Sequence, residues 1–144
     1  MRSTLIMLML LVAGSTLCKA QCDQKVSVVA SKTTHLDDSG TIKNTVDEQT
    51  TVSFDKTDIT VAIKRDGNAM NMTGKVKTYV CDWKVPFKEG KTTLGVNLEN
   101  GNGESRSYTI TIEGKDSKVI LLATSPDEAD EQIKLEADKF EKVL

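Results

Sequence analysis

Short runs of alternating apolar and polar residues recur from Lys25 to Thr124, about ten residues apart, and polar turn residues separate them. Side chains of a strand point alternately to its two faces, so a period of two marks a half-buried strand. DITVAIK (58–64) gives the cleanest case, with Ile59, Val61 and Ile63 on one face and Thr60, Ala62 and Lys64 on the other. Further runs are KVSVVAS (25–31), TIKNTV (41–46), TTVSF (50–54), SYTITI (107–112) and VILLAT (119–124). MNMTGKVKTYVCDWKVPF holds a long strand or a pair of them, and TTLGVNL runs back from it. The turns DDSG, RDGN, KEGK, ENGNG and EGKDSK carry the Gly, Asp and Asn that tight hairpins need. Nothing helical lies between these runs, and parallel strands need long crossovers, usually helical. The chain is therefore expected to be all-β, an antiparallel meander of about eight to ten strands, closed as a barrel or folded as a β-sandwich.

The C-terminus admits two readings. SPDE (125–128) resembles a helix start, with Ala129, Ile133, Ala137, Phe140 and Leu144 at helical spacing. Ile133 and Leu135 also alternate, and the VILLAT strand needs a neighbour. On that second and favoured reading SPDEADE is a hairpin loop and 132–140 is the last strand.

Residues 1–20, MRSTLIMLMLLVAGSTLCKA, read as a secretory signal peptide. Arg2 precedes an apolar run from Leu5 to Ala13 that is too short to span a bilayer, and Cys18-Lys19-Ala20 approximates a cleavage site. Leu17 before Cys18 and Gln21 before Cys22 do not fit a lipid-attachment signal, which places a small residue there. The expectation is export to a periplasmic or extracellular space, with no membrane span in the remainder. Residues 21–144 then form a single domain with room for a core. Arg2 and Lys19 belong to the leader, so the domain is acidic by a small margin and its charges are scattered. No basic patch argues for nucleic acid.

Two cysteines remain beyond the leader, Cys22 and Cys81. In an oxidising compartment they are expected to form a disulfide. The sequence has one His, His35, so no metal site built on several imidazoles is expected, nor is any other cofactor. No nucleophile elbow, P-loop or H-E-x-x-H occurs, and a His35–Cys81 nucleophile pair is the most that covalent catalysis could draw on. The acid pairs Asp37-Asp38, Asp47-Glu48, Asp127-Glu128 and Asp130-Glu131 lie in expected turns, where water solvates them. Asn71-Met72-Thr73 matches a glycosylation acceptor, a weakly specific pattern. No catalytic residue is assigned.

TYVCDWKVPFKEGK (78–91) concentrates three of the aromatic residues. Alternation places Tyr79, Cys81 and Trp83 on one face, preceded by Lys75 and Lys77 and followed by Val85 and Phe87. Val76, Thr78 and Val80 take the other face. The file of large side chains either fills the core or lines a cavity, and in a barrel the same inward positions serve both.

The run SKTTHLDDSGTIKNTVDEQTTVSF, the block YVCDWKVPFKEGKTTL and the unit TITIEGKDSKVILL resemble small secreted lipocalin-like proteins of bacteria. The resemblance spans most of residues 25–140 and implies an up-and-down barrel holding a small hydrophobic molecule in its mouth. The G-x-W that marks the wider family near its first strand is absent, since Trp83 lies mid-chain after Cys81-Asp82. No family site residue carries over. The lining expected from alternation is Phe54, Ile59, Val61, Tyr79, Trp83, Phe87, Tyr108 and Ile110. Two other functions remain open at this level. One is a surface β-sandwich that engages protein or glycan through loops 65–70 and 99–104. The other is a hydrolase using buried carboxylates.

Overall fold

The computed structural model describes residues 21–144, so the leader expected at 1–20 lies outside the described residues. Among the described residues nine strands follow in chain order: β1 (Val26–Leu36), β2 (Ile42–Phe54), β3 (Asp58–Arg65), β4 (Asn68–Val85), β5 (Glu89–Asn100), β6 (Ser105–Lys115), β7 (Lys118–Ser125), β8 (Glu128–Glu136) and β9 (Lys139–Lys142). Each strand from β1 to β7 pairs antiparallel with the next, and β8 returns to pair with β1. The meander is therefore a closed eight-stranded barrel with one additional strand, and the sandwich alternative is set aside. Closure removes the exposed sheet edges that a sandwich leaves.

Local chemistry fixes several of the turns. Asp66 and Gly67 both adopt positive φ, 50° and 78°, as a two-residue hairpin requires. At the C-terminus the Ser125 hydroxyl accepts from the Asp127 amide at 3.2 Å. The Ser-x-Asp pattern thus stabilises a hairpin turn, and the chain continues as strand β8 in place of a helix. TIKNTV and TTVSF, separate runs in the sequence, form one continuous β2.

Two register shifts decide which side chains face inward. In β1 the ladder with β2 skips between Ala30 and Lys32, so the inward series Val26, Val28, Ala30 resumes at Thr33. The N-terminal part of β1 pairs with β9 and its C-terminal part with β8. Between those two strands Ala137 donates to the Val119 carbonyl and Asp138 to that of Val29. In β4, Val76 pairs with Val96 but Thr78 pairs with Gly95, leaving Lys77 as the extra residue. Val76 therefore joins Tyr79, Cys81 and Trp83 in packing against the core, contrary to strict alternation. Gly95 permits this bulge, because a Cβ there would collide with the Thr78 hydroxyl.

Candidate functional site: an apolar cavity in the open end of the barrel

One end of the barrel is filled by its own residues and by the N-terminal segment. Trp83 is 2% exposed, and its ring packs on Phe140 with centroids 5.3 Å apart. Phe140 in turn meets Phe87 edge to face at 5.0 Å. Phe54 and Ile59 are fully buried in the same core. The segment before β1 is tied across this end by a disulfide between Cys22 and Cys81, whose Cα atoms lie 5.9 Å apart. Tyr79 donates its hydroxyl to the Cys22 carbonyl at 3.1 Å, and Gln21 Oε1 accepts from the Phe87 amide at 2.8 Å. Burial, reinforced by the negative charges of Asp23 and Asp55, raises the Tyr79 pKa above its ordinary 10.0.

The other end holds a cavity of about 600 Å³. Its volume is in the range of small-molecule sites. Most of its wall is apolar: Val52, Val61 and Ile63 from β2 and β3, Met70 and Met72 from β4, Leu98 and Ile110 from β5 and β6, and Leu121, Ala123, Ile133 and Leu135 from β7 and β8. Arg65, Asp66 and Asn68, around the β3–β4 turn, border the mouth. Tyr108 also lines it, and its side-chain oxygen, accepting a hydrogen bond from the Arg106 guanidinium, raises the pKa of Arg106, with the carboxylate of Glu128 adding to the effect.

The polar lining is concentrated on β1, β2 and β3. Thr33 and Thr50, both buried, place their hydroxyl oxygens 3.3 Å apart. Two residues closer to the mouth on the same strands stand His35 and Glu48. His35 Nδ1 is 2.6 Å from Glu131 Oε1 on β8. The Glu48 side chain is 10% exposed and reaches Arg65 at 4.0 Å. Among the described residues, no group of three or more His, Cys, Asp and Glu converges as a metal-ligand set.

Of the side chains expected from sequence to line a pocket, Val61, Tyr108 and Ile110 do so. Phe54, Ile59 and Trp83 belong to the packed core, while Tyr79 and Phe87 anchor the N-terminal segment. Aromatic size drew attention to the closed end, whereas smaller and more flexible side chains wall the cavity. The sequence reading missed Thr33, His35, Glu48, Thr50 and Arg65 as lining. Glu48 and Arg65 continue the inward series of Thr50-Val52-Phe54 and Ile59-Val61-Ile63 by one step, so alternation carried further would have found them. His35 lies beyond the β1–β2 register shift, which alternation does not foresee. Its suggested partner Cys81 is held in the disulfide and offers no thiol.

The acid pairs divide. Asp37 sits in the β1–β2 turn, where the hydroxyl of Ser39 and the amide of Thr41 lower its pKa. Glu48 is the member of these pairs that reaches the cavity. No known protein family, curated protein or solved structure is matched by this chain.

Proposed function

We propose that this domain is an exported, non-enzymatic barrel that carries a small hydrophobic molecule in its open end. The observation that carries the reading is the cavity itself. Unlike the opposite end, which is packed with aromatic side chains and sealed by the N-terminal segment, it is left unfilled by the protein's own residues. Apolar side chains lining such a space lose dispersion contacts that a ligand would restore. Burying a ligand's apolar surface there stabilises the complex by about 25 cal/mol for each Å² removed from water. The disulfide suits an oxidising compartment. Among the described residues no helix is long and apolar enough to cross a membrane.

Native mass spectrometry of the protein purified from its own exporting cell tests the reading. A reproducible extra mass, lost on denaturation, is the expected result. Titration with 1-anilinonaphthalene-8-sulfonate supplies an independent probe. Ala123→Trp, which fills the cavity wall, should reduce that dye's binding at least tenfold while the folded circular dichroism spectrum is retained. An apo mass together with dye binding indifferent to Ala123→Trp would overturn the reading and move the search to the loops.

A further inference from the structure

We infer that the ligand is a compact, largely apolar molecule bearing hydroxyl groups along one edge, and that Thr33, Thr50 and Glu48 read that edge. The inference rests on the cavity being a ligand site. It adds which chemistry the site selects.

The distribution of polar groups around the wall carries it. The arc from β4 to β8 faces the cavity chiefly with Met, Leu, Ile and Ala side chains. Asn68 at the mouth and Tyr108 are the exceptions, and the Tyr108 side chain is engaged with Arg106. The arc from β1 to β3 contributes Val52, Val61 and Ile63 as well, and adds a polar file running from the interior to the mouth: Thr33 with Thr50, then His35 with Glu48, then Arg65. One wall thus suits an apolar surface, and the facing wall adds a line of hydrogen-bonding groups to its apolar side chains.

The hydroxyl pair has unused capacity. Only one O–H can donate across the Thr33–Thr50 contact. The second proton has no acceptor among the described residues, and both oxygens retain lone pairs. Glu48 is similar: its nearly buried carboxylate has one long contact, to Arg65, and can accept from a ligand hydroxyl. A plain alkyl chain would cover these groups without pairing them. A buried polar group left without a partner costs roughly tenfold in affinity. A ring system with hydroxyls on one edge satisfies both walls in a single orientation. A long flexible chain with a polar group only at its end would leave the threonine pair unmatched.

The test uses two steroid carboxylates that share one carbon skeleton, cholate with three ring hydroxyls and 5β-cholanate with none. Competition against 1-anilinonaphthalene-8-sulfonate gives the ratio of their dissociation constants, which cancels the common skeleton. The double variant Thr33→Val/Thr50→Val preserves side-chain shape and is expected to shift that ratio at least tenfold against cholate. Thr50→Ser, which keeps the hydroxyl, should leave the ratio within about twofold of wild type. Glu48→Gln, on the surface side of the pair, supplies a second reading if the double variant folds poorly, and should move the ratio in the same direction. Binding of both steroids with a ratio unmoved by these changes would overturn the inference while leaving the cavity a ligand site. So would dye binding that cholate does not displace. Failure of dye, palmitate and both steroids to bind the wild type would overturn the underlying reading as well.

Discussion

Trp83 donates its indole N–H to the Thr92 hydroxyl at 2.8 Å, and Thr92 in turn lies 3.5 Å from the sulfur of Cys81. Both partners of the indole bond are buried. This contact lets the single Trp of the chain serve as core, because an indole N–H enclosed without an acceptor is costly. Thr92→Val keeps the shape and removes the acceptor. It is expected to destabilise the domain by about 1–3 kcal/mol. Urea titration followed by Trp83 fluorescence measures this, and an unchanged midpoint would mean that the indole finds another acceptor. Because Trp83 packs in the closed-end core, its emission should also stay nearly constant as the cavity fills.

Gly90 and Gly114 flank the same ring. A Cβ on Gly114 would lie 2.7 Å from the indole and 2.6 Å from the Lys88 carbonyl oxygen. A Cβ on Gly90 would come 2.8 Å from the ring, at a φ of 150° that side chains rarely adopt. Gly114→Ala and Gly90→Ala are each expected to cost about 1–3 kcal/mol through overpacking. Gly101, in the β5–β6 turn, has open space where its Cβ would stand. Gly101→Ala should therefore change stability by no more than about 0.5 kcal/mol. Equal losses at all three positions in a thermal melt would show that contact with the ring does not set the cost, and would remove Trp83 from the explanation.

These glycines show where the sequence was legible and where it was not. Strand positions and turns follow from local periodicity, so Ile59, Val61 and Ile63 share one face in the chain as they do in the barrel. The register shift beside Ser31 and the bulge at Lys77 are set by cross-strand pairing, a property of pairs of strands that one strand's alternation cannot encode. Each shift inverts the facing of neighbouring positions on β1 or β4, which places His35 in the cavity and turns Val76 inward. The cavity is harder still to foresee. Inward positions look alike in sequence whether they fill space or border it, and the difference lies in which end the N-terminal segment plugs. Gln21 and Cys22 make that choice through contacts with Phe87, Tyr79 and Cys81, distant in sequence.

The disulfide joins residues 59 positions apart. Chain-entropy arithmetic for a loop of that length gives about 4 kcal/mol of stabilisation through the unfolded state. Cys22→Ser/Cys81→Ser should lower the urea midpoint accordingly and loosen the hold of the N-terminal segment on the closed end. Thiol labelling of the folded domain, residues 21–144, should find no free thiol. Two reactive thiols in the folded protein would contradict the bond directly.

Asp55 closes the β2–β3 turn and gives stability a dependence on pH. Its Oδ1 accepts from the Thr57 amide and the Thr57 hydroxyl, each at 2.8 Å, and from the Asp58 amide at 2.9 Å. The Asp58 amide, then the Thr57 amide, hold the carboxyl below its ordinary 3.8. A carboxyl depressed in the folded state binds its proton more tightly when unfolded. Its stabilisation is therefore complete above the unfolded value and is lost as pH falls through the lower folded one. At so solvated a turn the three bonds together are worth about 1 kcal/mol. Asp55→Ala should cost that amount at about pH 7, and its gap from wild type should narrow only below about pH 4. Urea midpoints of both proteins across that range measure the gap. A gap that stays constant through the acid limb would assign the loss to turn geometry, with no contribution from the charge.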